Sequence, residues 1–352
     1  HVLCGSVDLD MLACAAPNRL NVIRILSEGY PALEVGLDEL LPHVEERNTS
    51  AALVRGVAAK VQELGHKVGG FDAWVTSNVL SGSGLSSSAA YEVLVGNILN
   101  YFFCDGALTP IQIAKIGQYA ENVYFGKPCG LMDQMASSVG GLVFIDFADP
   151  AHPAVRQAAF DFAHCGYTLC TLDSGADHAD LTDEYAAIPE EMRRVARVFG
   201  KDVLREVDEA EFYAKLKATR EAAGDRAVLR AMHFLSDNER VTKQVDALSN
   251  NDFERFKQLI IESGQSSFCY LQNVFSCSAP KEQGLSLALC LAENLLAGKG
   301  AWRVHGGGFG GTTQNFVPID LLDDFIALME NAFGTGSCHV LSIRPVGGVE
   351  IR

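Results

Sequence analysis

Gly82-Ser83-Gly84-Leu85-Ser86-Ser87-Ser88-Ala89-Ala90 is a run whose residue types suit the binding of a polyphosphate. Glycine and serine let a backbone turn tightly. The apolar residues that follow, Ala89, Val93, Leu94, Ile98, Leu99 and Phe102, recur at helical spacing, so the run opens a helix. The first N–H groups of a helix have no acceptor within it and carry the positive end of its dipole. Ser86, Ser87 and Ser88 add hydroxyls for phosphate oxygens or a hydrated magnesium ion. One Ser before a helix is commonly only an N-cap, but three in succession between Gly-Leu and Ala-Ala exceed what a cap needs.

A second candidate is Asp133, in the stretch Lys127-Pro128-Cys129-Gly130-Leu131-Met132-Asp133-Gln134. It falls in the first turn of a short helix, where N–H donors favour a carboxylate. It could take a hydrogen bond or a proton from a substrate hydroxyl, or serve only as a cap. Glu121 lies on the last turns of a helix that opens at Thr109-Pro110 and closes at Gly126. The dipole disfavours a carboxylate there, which suggests a task, although an exposed solubilising Glu is the plain alternative. A fourth candidate is His305-Gly306-Gly307-Gly308-Phe309-Gly310-Gly311, whose glycines mark a backbone that approaches something closely or takes positive φ.

The elements that must position these groups follow from pattern and punctuation. Strands are expected over 2–4, 7–13, 21–26, 71–77, 142–147, 167–172, 301–304, 315–318 and 339–344. Helices are expected over 51–64, from the serine run to about 103, over 110–125, around 185–198, through most of 208–264, over 283–296 and over 320–333. With 352 residues, 48% of them hydrophobic, the chain suits two domains, divided in the turn region that follows Pro150.

A formal net charge of −16 argues against nucleic acid or an anionic membrane as partner. Ten scattered cysteines without a Cys-x-x-Cys pair read as free thiols of a reducing compartment, and nine histidines show no zinc-ligand spacing. With no apolar run of bilayer length and no leader, the protein is expected in the cytoplasm.

Other glycine-loop chemistries fit poorly. The Walker frame is missing at Gly126-Lys127 and at Gly298-Lys299, and the dinucleotide fingerprint is absent. His305-Gly306-Gly307-Gly308 resembles a hydrolase oxyanion loop, but it follows the serine run instead of preceding it, and no Gly-x-Ser-x-Gly elbow occurs.

Taken together, Gly82 to Ala90, Gly130-Leu131-Met132-Asp133-Gln134 and Gly306 to Gly311 resemble, in order and spacing, the loops of galactokinases within the GHMP kinase superfamily. The resemblance runs from about Val7 to the C-terminus. It implies an α+β fold of two GHMP kinase domains, about 1–160 and 161–352, with the active site in the cleft between them. It also implies transfer of the γ-phosphoryl group of ATP to the C1 hydroxyl of galactose, with Mg2+, by a monomer. Carried over by position, Gly82, Ser83, Gly84, Leu85, Ser86, Ser87 and Ser88 cradle the phosphates. Ser88 and Glu121 hold the metal, Asp133 faces the transferred hydroxyl, and Gly130 and Tyr185 touch the sugar. Gly306, Gly307, Gly308, Phe309 and Gly310 form a supporting loop.

One part of the family pattern is missing. Galactokinases carry an early segment of Pro-Gly-Arg followed by Gly-Glu or Asn-His-Thr-Asp, which supplies an arginine and sugar-binding acids. Here Ala16-Pro17-Asn18-Arg19-Leu20-Asn21 imitates only its opening. The segment is read as turn and strand with Arg19 in solvent. A chain starting just after that motif, with weak or no phosphoryl transfer, is the expectation; the alternatives are a dead galactokinase-like sensor of sugar or ATP, or a kinase for N-acetylgalactosamine or arabinose.

Overall fold

A computed structural model describes residues 1–79, 85–175, 181–309 and 311–351. The chain divides into two compact units, Cys4–Val143 with Ile343–Arg352, and His1–Leu3 with Phe144–Ser342.

The first unit is built on a four-stranded sheet. After β1 (Val2–Gly5) come β2 (Met11–Pro17), β3 (Val22–Ser27), β4 (Leu33–Gly36), helix α1 (Ser50–Glu63) and β5 (Phe71–Ser77). The sheet order is β2-β5-β3-β4. β5 pairs antiparallel with β2 and parallel with β3, in the register Ile23↔Phe71 and Ile25↔Ala73. A parallel pair needs a crossover, and α1 supplies it. Phe71, Ala73 and Val75 are buried while Trp74 between them is exposed, the alternation of a sheet covered on one face.

Helices α2 (Ser87–Phe103), α3 (Pro110–Tyr119) and α4 (Met132–Val139) follow, and then β6 (Leu142–Asp146). Val54, Val57, Leu99, Ile113 and Ile116 from the helices share one core with Ile23, Ile25, Val35 and Phe71 from the sheet. β5 therefore delivers the chain to the serine run, and α2 leaves it. α3 opens as its sequence predicts, with a reciprocal cap between Thr109 and Gln112 and Pro110 in the first turn. The turn after α3 differs from expectation. Residues Ala120–Phe125 are wound as a π-helix, and the Gly126 N–H bonds back five residues to the Glu121 carbonyl.

The second unit continues with β7 (Ala154–Ala158), β8 (Tyr167–Asp173), α5 (Thr182–Val198), α6 (Glu209–Ala214), α7 (Leu216–Ala223), α8 (Asp225–Ser249) and α9 (Phe253–Ser266). It closes with α10 (Gly284–Leu296), β9 (Ala301–Val304), β10 (Thr312–Pro318), α11 (Leu322–Phe333) and β11 (Cys338–Leu341). Its sheet has the order β11-β8-β10-β9 with every neighbour antiparallel. Cys170, Leu172 and Val317 pack from the sheet against Ala288, Ala292, Leu296, Phe325 and Met329 of α10 and α11. The glycine run joins β9 to β10, and its ends meet where the His305 N–H donates to the Thr312 carbonyl at 2.9 Å.

Two strands, β4 and β7, were not expected, and the strand expected from Val7 begins only at Met11. Asp8 and Asp10 break that pattern, because Asp is a poor strand former. The Asp10 carboxylate instead pairs with Arg344, and Val7 makes an isolated bridge to Ile343. Among the described residues, no helix is long and apolar enough to cross a membrane. All ten cysteines are free thiols.

Candidate active site

α2 begins at Ser87 behind Ser86, which stands at φ 58° and ψ 56°, a left-handed entry. That conformation turns the chain sharply into the helix. Ser87 and Ser88 therefore occupy the first helical positions, whose N–H groups have no acceptor within the helix. Leu85, Ser86, Ser87 and Ser88 are half-buried. Gly82, Ser83, Gly84 and Gly310 lie outside the described residues.

The serine side chains meet the two candidate carboxylates. Ser86 Oγ donates to Asp133 Oδ2 at 2.6 Å, and Ser88 Oγ donates to Glu121 Oε1 at 3.2 Å. Asp133 sits in the first turn of α4, as its sequence predicts, and is half-buried. Glu121 is buried, 3% exposed, which removes the plain reading of a solubilising surface Glu. The π turn carries its side chain inward, and Lys127 Nζ lies 3.9 Å from its Oε1.

The loop between them is tied in place from α3 and the π turn. Gln118 Nε2 and Asn122 Nδ2 donate to the Cys129 carbonyl at 3.2 and 3.4 Å, and the Cys129 N–H donates to Asn122 Oδ1 at 2.6 Å. Gly130 follows in this loop, exposed, with open space where a side chain would stand. Beside Asp133, burial first and the charge of Asp133 second push the Cys4 thiol up to about 12.

In the second unit, Tyr185 on α5 and the glycine loop come together. Tyr185 Oη donates to the Gly308 carbonyl at 2.5 Å, and its ring meets Phe309 edge-on at 5.4 Å. The loop rests on Asn273, a buried residue that sequence reasoning missed. The Phe309 N–H donates to the Asn273 carbonyl at 2.5 Å, and Asn273 Nδ2 donates to the Gly307 carbonyl at 3.0 Å. Gly308 has φ +78°, and a Cβ there would collide with the Asn273 carbonyl oxygen. Glycine is required on both counts.

Residues 52–141 match the family model described as the GHMP kinases N terminal domain. The chain is 33% identical over 330 residues to a galactokinase of Streptomyces coelicolor, covering 91% of this chain and 80% of that protein. A galactokinase of Streptomyces lividans is also 33% identical, over 331 residues, with 92% and 78% covered. This chain belongs to the galactokinase family.

The fold agrees with that membership. It superposes on Lactococcus lactis galactokinase, solved in complex with galactose, with a TM-score of 0.81 at 22% identity, over 99% of this chain and 89% of that one. The mevalonate kinase of L. major, solved with R-mevalonate, superposes at 0.61 with 13% identity over 98% and 90% of the two chains.

A third carboxylate stands beside the pair in this galactokinase-family chain. Glu92 on α2 is 1% exposed, and the buried Gln134 Nε2 donates both to Glu92 Oε2 at 3.0 Å and to Glu121 Oε2 at 2.9 Å. Burial first, and the charge of Glu121 second, push the Glu92 carboxyl from 4.5 up to about 9. Sequence reasoning missed it. The available signal was a lone charged side chain in an otherwise uncharged helix, one turn after Ser88.

The raised value fixes the sign of a pH effect. The folded chain holds the Glu92 proton up to about 9, whereas the unfolded chain releases it near 4.5, so its contribution to stability is full below 4.5 and is lost as pH rises towards 9. Glu92→Gln cannot release that proton. Its melting temperature is expected to gain on the wild type between pH 5 and pH 9, by about 1–2 °C for each kcal/mol. Differential scanning calorimetry at both pH values checks this; parallel pH profiles would contradict it.

Proposed function

We propose that this chain is an ATP-dependent sugar 1-kinase whose substrate is galactose. The observation that carries the reading is identity to galactokinases across nine-tenths of the chain, joined to a site that pairs Asp133 and Glu121 with the serines at the start of α2. Phosphoryl transfer demands in-line positioning and stabilisation of charge on the phosphate oxygens more than covalent help. Residues 82–88 and the first N–H groups of α2 are assigned to the ATP phosphates. Asp133 aligns the C1 hydroxyl of galactose and takes its proton as the new O–P bond forms. The bond from the γ-phosphorus to the bridging oxygen breaks, and ADP leaves with the electron pair.

The donor set suits magnesium. Ser88 and Glu121 present a hydroxyl and a buried carboxylate side by side, and among the described residues no cluster of three His, Cys, Asp or Glu forms a metal cage. Mg2+ characteristically takes one or two carboxylates and completes its shell with phosphates and water. Ser88 and Glu121 would hold it, and when bound it neutralises phosphate charge. Gly130 and Tyr185 are assigned to sugar contact, and the loop containing Gly306, Gly307, Gly308, Phe309 and Gly310 to support. Residues 1–160 and 161–352 are taken as the N- and C-terminal GHMP kinase domains of a cytoplasmic monomer.

A coupled ADP-release assay with magnesium ATP and galactose, N-acetylgalactosamine or arabinose tests the reading. Turnover is expected with galactose above the others, and weak, because the Gly-Glu-His-Thr-Asp part of the early family motif is not found after Ala16-Pro17-Asn18-Arg19. Turnover with another sugar alone, or galactose binding by calorimetry without turnover, would overturn it.

A further inference from the structure

We infer that Glu92 is a positioning residue that fixes the carboxylate of Glu121 through the side-chain amide of Gln134. It lies beyond the serine run and outside every loop that carries the family resemblance. The inference rests on the galactokinase reading above, because it takes Glu121 as the metal carboxylate.

The geometry is a closed circuit on three elements. Ser88 and Glu92 lie one turn apart on the same face of α2. Ser88 Oγ holds Glu121 Oε1, Gln134 Nε2 holds Glu121 Oε2, and the same nitrogen holds Glu92 Oε2. An amide nitrogen has two hydrogens, one for each carboxylate. The amide is thereby oriented, since the reversed rotamer would turn its carbonyl oxygen towards the carboxylate of Glu121. Both oxygens of Glu121 are then fixed, one from each side.

Gln134 also neighbours Asp133 on α4, so α2 grips the start of α4 twice, by Ser86 on Asp133 and by Glu92 on Gln134. α3 leaves room for this arrangement by having no side chain at Gly117. A Cβ there would stand 2.9 Å from Glu92 Oε2 and 3.2 Å from Gln134 Cγ.

Packing alone does not explain a glutamate here. The position is 1% exposed on a helix of apolar neighbours, where a leucine would bury as well without the desolvation cost of a carboxyl group. The acceptor that Glu92 offers Gln134 is what a leucine lacks. Partners that orient a metal ligand are worth about 10–100-fold in metal affinity or activity.

The test compares Glu92→Gln, which keeps an acceptor oxygen for Gln134, with Glu92→Leu, which removes it. Two quantities are read: kcat as a function of Mg2+ concentration, and the Mg2+ dependence of ADP binding by calorimetry, which requires no turnover. Glu92→Leu is expected to lose about 10-fold or more in kcat and to need a correspondingly higher Mg2+ midpoint, with the galactose KM unmoved; Glu92→Gln stays close to the wild type. A folded Glu92→Leu with the wild-type midpoint, or Glu92→Gln impaired as severely as Glu92→Leu, overturns the inference. If Glu92→Leu fails to fold, Glu92→Asp withdraws the acceptor by one methylene, and an unmoved midpoint in that variant overturns it equally. A wild-type chain silent towards galactose would instead count against the galactokinase reading, while the calorimetric midpoint continues to judge Glu92.

Discussion

Asp133→Asn is expected to lower kcat by about 10²–10⁴-fold, the usual value of a positioned proton acceptor, while leaving ATP affinity unchanged. The substitution keeps the shape of the side chain and an oxygen that can accept from Ser86 Oγ, so the contact at 2.6 Å and the start of α4 should survive. It removes the capacity to take a proton from the sugar hydroxyl. Steady-state kinetics with magnesium ATP, paired with nucleotide binding by calorimetry, separate the two effects. A variant with near-normal kcat would take Asp133 out of the chemistry. A modest loss of kcat with a raised galactose KM would leave it a role in alignment only.

Glu121→Gln is expected to cost about 10²–10³-fold in kcat, in the range found when one preorganised charge-stabilising group is removed. Glu121 is 3% exposed and wound inward by the π turn, so its charge acts where water does not screen it. A glutamine fills the same space and can still accept from Gln134, but it brings a neutral amide in place of the charge. The Mg2+ concentration needed for half-maximal turnover should rise, while nucleotide binding without Mg2+ stays as in the wild type. An unchanged Mg2+ profile would contradict the metal assignment.

Much of this arrangement was legible in the sequence because it depends on local chemistry. The serine run had to open a helix, since the apolar periodicity starts at Ala89, and α2 begins at Ser87. Thr109-Pro110 had to start another, and Asp133 had to fall in a first turn. What could not be read depends on distant parts of the chain. The π turn over Ala120–Phe125 packs where α1 presents Gly56, at which a Cβ would lie 2.8 Å from Ala120. No periodic pattern announces such a turn. Glu92 looked like one polar residue on a helix, because its partners are Gln134, 42 residues on, and the Glu121 that Gln134 also holds. Asn273 looked like an ordinary loop residue, because the glycine loop it supports arrives more than thirty residues later. β4 and β7 are short, and β7 follows a Pro-rich turn that reads as a boundary.

The most direct measurement is ³¹P NMR of the reaction of this chain with magnesium ATP and galactose labelled with ¹³C at C1. Phosphoryl transfer to the C1 hydroxyl predicts a new phosphomonoester resonance coupled to the labelled carbon, growing as ADP appears. A phosphomonoester without that coupling, or ATP that persists while galactose is bound, would contradict it.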